Sequence, residues 1–290
     1  MDERSALRRL AAAVPAAGDD AAVVDGLVVT TDMLHETTDF PQGTTRYTAG
    51  WRAVGASLSD VAAMGADATA AVAAYAAPTL EELDLDAFVA GAVDVCESVG
   101  AEYVGGDLDT ASEFTAATTA VGGTDAPVRR RGATAGEAVC VTGALGRTAA
   151  GLRAFDAGDV DSGNDLFRFP PRIDAGLALA PHATAMMDSS DGLARSLHQL
   201  AEASGVGFDV DRAAVPVHDA VDEYADSDPD RWRMATTVGE EFELVCTLPS
   251  EAVGVARESL DTDLVEIGDV TDNGITVDGD PLADEGYTHG

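Results

Sequence analysis

Residues 46–65, RYTAGWRAVGASLSDVAAMG, decide how the rest of the chain is read. Apolar residues recur there at roughly helical spacing, and the run stops at a glycine, which predicts one helix. Asp60 lies inside that apolar pattern. A carboxylate in such a place needs a partner, because an unpaired buried charge costs several kcal/mol.

Four other short motifs share the context of small residues beside an apolar strand or helix. They are GDDA (Asp19, Asp20), TTD (Thr30, Thr31, Asp32), VGGD (Asp107) and DSSD (Asp188, Asp191). With 35 Asp in the chain, each alone also reads as a turn former or helix cap. All 17 basic residues are Arg, and most lie away from these motifs, so a bound metal is the economical partner. The donors are carboxylates, hydroxyls and carbonyls without Cys or His, which favours Mg²⁺ or Ca²⁺ over zinc. Single carboxylates on separate elements suit Mg²⁺, which keeps waters and shares phosphate oxygens. Without Lys, neither a Walker A loop nor a protein-kinase Lys is possible. Arg129, Arg130 and Arg131 read as a phosphate clamp or as exposed loop residues. TGALGRT (142–148) reads as a phosphate-cradling helix start or as a plain strand-to-helix turn.

The net charge is −35 over 290 residues, with a pI near 4.1. Such a chain repels itself at low salt. At 1 M salt the Debye length is about 3 Å and the repulsion is screened. The acid therefore reads as solvation in a halophilic cytoplasm, with an acidic interaction surface as the alternative. No basic stripe exists, which argues against nucleic acid as a partner. Cys96, Cys140 and Cys246 have no metal-type spacing and read as core residues of a reducing compartment. No signal peptide or membrane span is legible, so the expectation is a soluble, cytoplasmic protein. Trp51 reads as core and Trp232 as half-exposed. His198 reads as a helix-face residue, and His35, His182, His218 and His289 as loop or surface.

Residues 21–31 predict a hairpin around Asp25-Gly26. A strand over 68–78 follows, then a helix over 79–100 with a capping box of Thr79 and Glu82. Strands flank a loop around EYVGGD and over 114–124. The character changes near residue 128, giving two halves, 1–128 and 129–290. In the second half a strand, a glycine turn and a helix run to residue 155, and 157–167 reads as a polar loop. A helix starting at Pro170 follows, then a strand to Met187 that hands over to a helix, a strand over 207–217, and further strands and turns. The alternation implies an α/β (α+β) fold in two domains.

Together these residues resemble the thiamine-monophosphate kinase family, of the superfamily typified by aminoimidazole ribonucleotide synthetase. The resemblance runs from Gly18 to His289. It is carried in order by GDDAAVV, TTDMLHETTDF, GWRAVGASLSDVAAMGADA, GGD, RRGATAGEAVCVTGALGRTAAGL, DSSDGL, GEEFEL and GYTHG. It implies ATP-dependent phosphorylation of thiamine phosphate, giving thiamine diphosphate. It implies Mg²⁺ at Asp20, Thr30, Thr31, Asp32, Asp60, Asp107, Asp188 and Asp191, and ATP at Gly106, Asp107, Arg130 and Ser190. Asp39, Glu240 or Glu241, and Tyr287 would face thiamine phosphate. A homodimer whose N-terminal sheets pair into a barrel is implied too. The family commonly has His where Asp39 stands, Asp-Tyr at Glu241-Phe242, Asn at Ser57 and Lys at Arg52. Two other readings stay open: a sister ATP-dependent synthetase acting on a purine precursor, and a non-catalytic metal-binding acidic protein.

Overall fold

The protein is described here by a computed structural model covering residues 3–14 and 16–287. His289 and the end of the GYTHG motif lie outside the described residues. The first half begins with α1 (Glu3–Ala13), β1 (Ala22–Val24), β2 (Leu27–His35) and the single turn α2 (Glu36–Asp39). Then come α3 (Arg46–Ala63), β3 (Asp67–Ala77), α4 (Glu82–Ser98), β4 (Glu102–Thr110) and β5 (Thr115–Gly123). The second half runs β6 (Ala138–Thr142), α5 (Arg147–Asp156), α6 (Val160–Phe167), α7 (Ile173–Leu179), β7 (Ala185–Asp188) and α8 (Leu193–Ser204). It ends with β8 (Gly207–Val210), α9 (Val221–Tyr224), α10 (Asp228–Thr236), β9 (Leu244–Leu248), α11 (Val253–Glu258), β10 (Leu264–Thr271), β11 (Ile275–Val277) and β12 (Asp280–Pro281).

Two sheets result. The first has the order β1-β2-β5-β3-β4, the second β12-β11-β8-β10-β6-β9-β7. The hairpin at 22–35 forms as its sequence requires: Asp25 and Gly26 both take positive φ, 52° and 82°, and bring β2 back antiparallel to β1. α3 and α4 cover one face of the first sheet. The two helices approach very closely because each presents a glycine. A Cβ on Gly50 would lie 2.1 Å from the Phe88 carbonyl oxygen, and one on Gly91 would lie 2.0 Å from that of Tyr47.

α3 is buried on nearly every side, since it also packs on α7 and on β7 of the second sheet. An apolar run buried all round is how such a helix must read in sequence. Its Val54, Leu58, Val61 and Ala62 share one cluster with Met186, Leu244 and Cys246 of the second sheet. The three cysteines are free and buried, in line with their apolar contexts. Trp51 is partly buried and donates its indole N–H to Phe169 O at 2.7 Å, while Arg212 lies over the Trp232 ring.

Three local expectations are corrected. α4 starts at Glu82 with Glu81 as N-cap, so Thr79 caps nothing; the chain leaving β3 still bends at 78–79. Residues 160–167 form the helix α6 and not a loop. The Asp159 side chain accepts the Ser162 N–H, and Phe167 is buried edge-on to Phe155. Gly163 is there because a Cβ would meet the Phe155 ring at 2.8 Å. α7 begins at Ile173, so Pro170 and Pro171 precede it.

Candidate active site

The site is assembled on α3. Asp60 points out of its buried run to meet Asp20, from the loop before β1, and Asp188, the last residue of β7. One carboxylate oxygen from each lies within 4.8 Å of the others. Thr30 on β2 donates to Asp60 Oδ2 at 2.5 Å. Ser57 donates to Asp32 Oδ2 at 2.8 Å, and Ser59 donates to Asp188 Oδ2 at 2.6 Å. Thr31 sits on the other face of the β2 pleat and donates to Thr118 O at 2.8 Å, although it still touches the cavity rim.

Asp188 Oδ1 is buried and has no protein partner. Burial, followed by the charges of Asp32, Asp188 and Asp20, pushes the Asp60 carboxyl well above the usual carboxylate range. Burial and then the Asp20 charge push Asp188 up to about 8. Arg130 bonds Asp20 directly, through Nη2 at 2.8 Å and Nε at 3.2 Å. Burial works against the Arg130 charge, but Asp20, Asp188 and Asp60 together hold it protonated. Three carboxylates this close, one with an orphaned oxygen, make a donor set that fits a hard divalent cation. Arg129 is tied to Asp19 at 2.6 Å.

Of these groups Asp20, Thr30, Thr31, Asp32, Asp60 and Arg130 line a cavity of about 310 Å³, together with Ser190, Asp191, Glu240, Phe242 and Tyr287, while Asp188 is buried. Main-chain bonds zip the wall around Ser190, Glu240 and Tyr287 together. Glu240 N–H donates to Ser190 O at 2.5 Å, Phe242 N–H to Ser189 O at 3.1 Å, and Tyr287 N–H to Asp191 O at 3.0 Å. The Tyr287 hydroxyl donates to Asp39 Oδ1 at 3.3 Å, which joins Asp39 to this end. Burial, with Glu240 and Asp39 nearby, raises the Tyr287 hydroxyl pKa, so it remains a donor.

Glu241 points elsewhere. Its Oε2 accepts the Arg147 N–H at 3.0 Å at the start of α5. The Glu241 carboxyl therefore already occupies the helix start that TGALGRT offers, in line with the plain strand-to-helix reading of that motif. Gly106 and Asp107 lie on β4, with β5 and β3 between them and β2. They border a separate cavity of about 570 Å³ walled by Tyr75, Phe88, Val89 and Tyr103. Within one chain Asp107 does not join the Asp20–Asp60–Asp188 cluster.

Ser59 gives no signal of its own in the sequence, and Ser57 and Arg52 stand out there only as departures from the family pattern. A signal for Arg52 existed: it is a charge in the same apolar helical run as Asp60, two turns earlier, and so needed a partner for the same reason.

Two stacked α/β halves with an acidic cleft between them define a class, and comparison with known families agrees on which. Residues 18–124 match the AIR synthase related protein N-terminal domain, and residues 134–280 match its C-terminal domain. Within that class the chain belongs to the thiamine-monophosphate kinase family. It is 58% identical to the thiamine-monophosphate kinase of Halobacterium salinarum over 100% of both chains. It is 38% identical to that of Methanospirillum hungatei, over 100% of this chain and 99% of the relative. Among solved structures it is similar to AaThiL complexed with AMPPCP and TMP, with TM-score 0.89 and 28% identity, covering 100% of this chain and 97% of that one.

Proposed function

We infer that this chain transfers the γ-phosphoryl group of ATP to the phosphate of thiamine monophosphate, giving thiamine diphosphate and ADP. The observation that carries the reading is the close set Asp20, Asp60 and Asp188, of which Asp20 and Asp60 line one cavity with Glu240 and Tyr287. A nucleotide analogue and TMP are named together in a solved structure of the same fold.

The acceptor is itself a phosphate monoester with a second pKa of about 6, so at neutral pH it is mostly a dianion. It needs no general base, and among the described residues no His or Cys lines the cavity. An acceptor phosphate oxygen attacks the γ-phosphorus in line. The bond from that phosphorus to the β-phosphate oxygen breaks, and ADP leaves with the electron pair. Mg²⁺, held by Asp20, Asp60 and Asp188 with Thr30, Asp32 and Asp191 beside them, would offset the repulsion between the two anions. Ser59 and Ser57 orient two of those carboxylates, and Ser190 and Arg130 stand where polyphosphate oxygens would approach. Asp39, Glu240 and Tyr287 form the acceptor end.

Gly106 and Asp107 belong to the ATP side of this proposal through their own cavity. The division into an ATP and Mg²⁺ half, 1–128, and a half that completes the site, 129–290, is part of it. So is a cytoplasmic setting; among the described residues no helix is long and apolar enough to cross a membrane. A second copy of the chain is the expected partner. α3 and α4 cover only one face of the first sheet, while Leu27, Met33, Val104 and Leu108 of that sheet stay about half-exposed.

The test is ADP release at high KCl with thiamine monophosphate against free thiamine and purine-precursor acceptors. Turnover confined to free thiamine or to a purine precursor would overturn the acceptor. Asp60→Asn and Asp191→Asn are each expected to reduce kcat by at least about a hundredfold. Asp226→Asn, on an exposed side chain, is the control and should change kcat by less than about twofold. Equal effects would remove the site.

A further inference from the structure

Arg52 is fully buried and does not line the cavity, yet it reaches the acceptor end. From α3 its Nη2 donates to Glu240 Oε2 at 2.7 Å and to Glu240 O at 3.2 Å. Its Nη1 donates to Phe167 O at 2.6 Å. The guanidinium carbon lies 3.7 Å from the centroid of the Phe167 ring, with Phe169 and Phe242 at 5.4 and 5.6 Å. Phe169 and Phe242 stack on each other at 4.1 Å. Glu240 has φ of +58°, a left-handed conformation that costs a non-glycine residue about 1 kcal/mol or more. Three bonds hold it there: Arg52 and the Thr148 hydroxyl on its carbonyl, and its own N–H on Ser190 O.

We propose that Arg52 is the positioning residue of the acceptor pocket: it holds both the backbone and the carboxylate of Glu240 so that this acid faces the cationic thiazolium of thiamine monophosphate. The inference rests on the functional reading above. A flat guanidinium suits the task because its fork bonds Glu240 and Phe167 together while its face stacks on an aromatic ring. A lysine ammonium has the charge for Glu240 but not the fork or the face. Without Arg52 the Glu240 carboxylate is free to swing, and binding of the acceptor suffers, whereas the carboxylate cluster keeps its own supports, Ser59, Ser57 and Thr30.

The experiment measures KM for each substrate separately in wild type, Arg52→Met and Arg52→Lys, at saturating Mg²⁺ and high KCl. Arg52→Met is expected to raise KM for thiamine monophosphate about tenfold or more and to leave KM for ATP within about twofold. Arg52→Lys keeps a charge for Glu240 and should recover part of the loss, ending about three- to tenfold above wild type. A rise in both KM values together, or an unchanged KM for thiamine monophosphate, would show that Arg52 only packs. If Arg52→Met does not fold, the same split in Arg52→Lys decides. Absence of turnover of thiamine monophosphate by wild type overturns the functional reading and this proposal with it. Normal wild-type turnover with the wrong split overturns Arg52 alone.

Discussion

Glu241 shows how much a single side chain can carry. It is a buried acid beside the cavity wall that bonds the first turn of α5. Burial pushes its carboxyl up to about 8, against the lowering effect of the Thr148 and Arg147 N–H groups and of Arg52. Its ordinary value is 4.5, so between these values the folded chain holds a proton that the unfolded chain has lost. Stability must then fall as pH rises through that window. Glu241→Gln removes the slope. Melting curves at pH 5.5 and 8.5 in constant KCl should show the variant gaining about 1 kcal/mol or more on wild type at the higher pH. An equal difference at both values would mean the carboxylate is ionised in the fold. Legibility at this scale was uneven. Asp60 could be read because a charge in an apolar helix stands out. The partnership of Ser59 with Asp188 could not, because 129 positions separate the two and only folding joins them.

Helices and strands were legible where local chemistry left no choice. The Asp25-Gly26 turn, β3 and α3 all follow from short-range pattern. α6 did not, because its apolar contacts are made with α5 and its polar residues with Gly163 imitate a loop. The α3–α4 contact is the firmest element-level feature, since reciprocal glycines set how near the helices come. Gly91→Ala forces a methyl into the Tyr47 carbonyl and should cost about 1–3 kcal/mol or more in chemical denaturation. Gly254→Ala in α11 meets nothing within 4 Å and should gain up to about 1 kcal/mol. Similar costs at both positions would show that helix approach does not limit the packing.

For the whole molecule, the open face of the first sheet and the net charge of −35 pull in opposite directions. Apolar β2 and β4 side chains favour association, and like charge opposes it until salt screens it. Sedimentation should give a dimer in molar KCl, and Met33→Glu, on the open face, should shift it to monomer. A monomer in wild type at every salt concentration would leave that face without a partner of its own kind.

α3 touches the first sheet, α7 and β7, and it bears Asp60, Ser59, Ser57 and Arg52 along one length of buried backbone. Catalytic competence and folding cooperativity are therefore one property of this chain. Helix α3 cannot unfold without dissolving the core cluster that joins both sheets, so losing this one element takes the active centre and the core together.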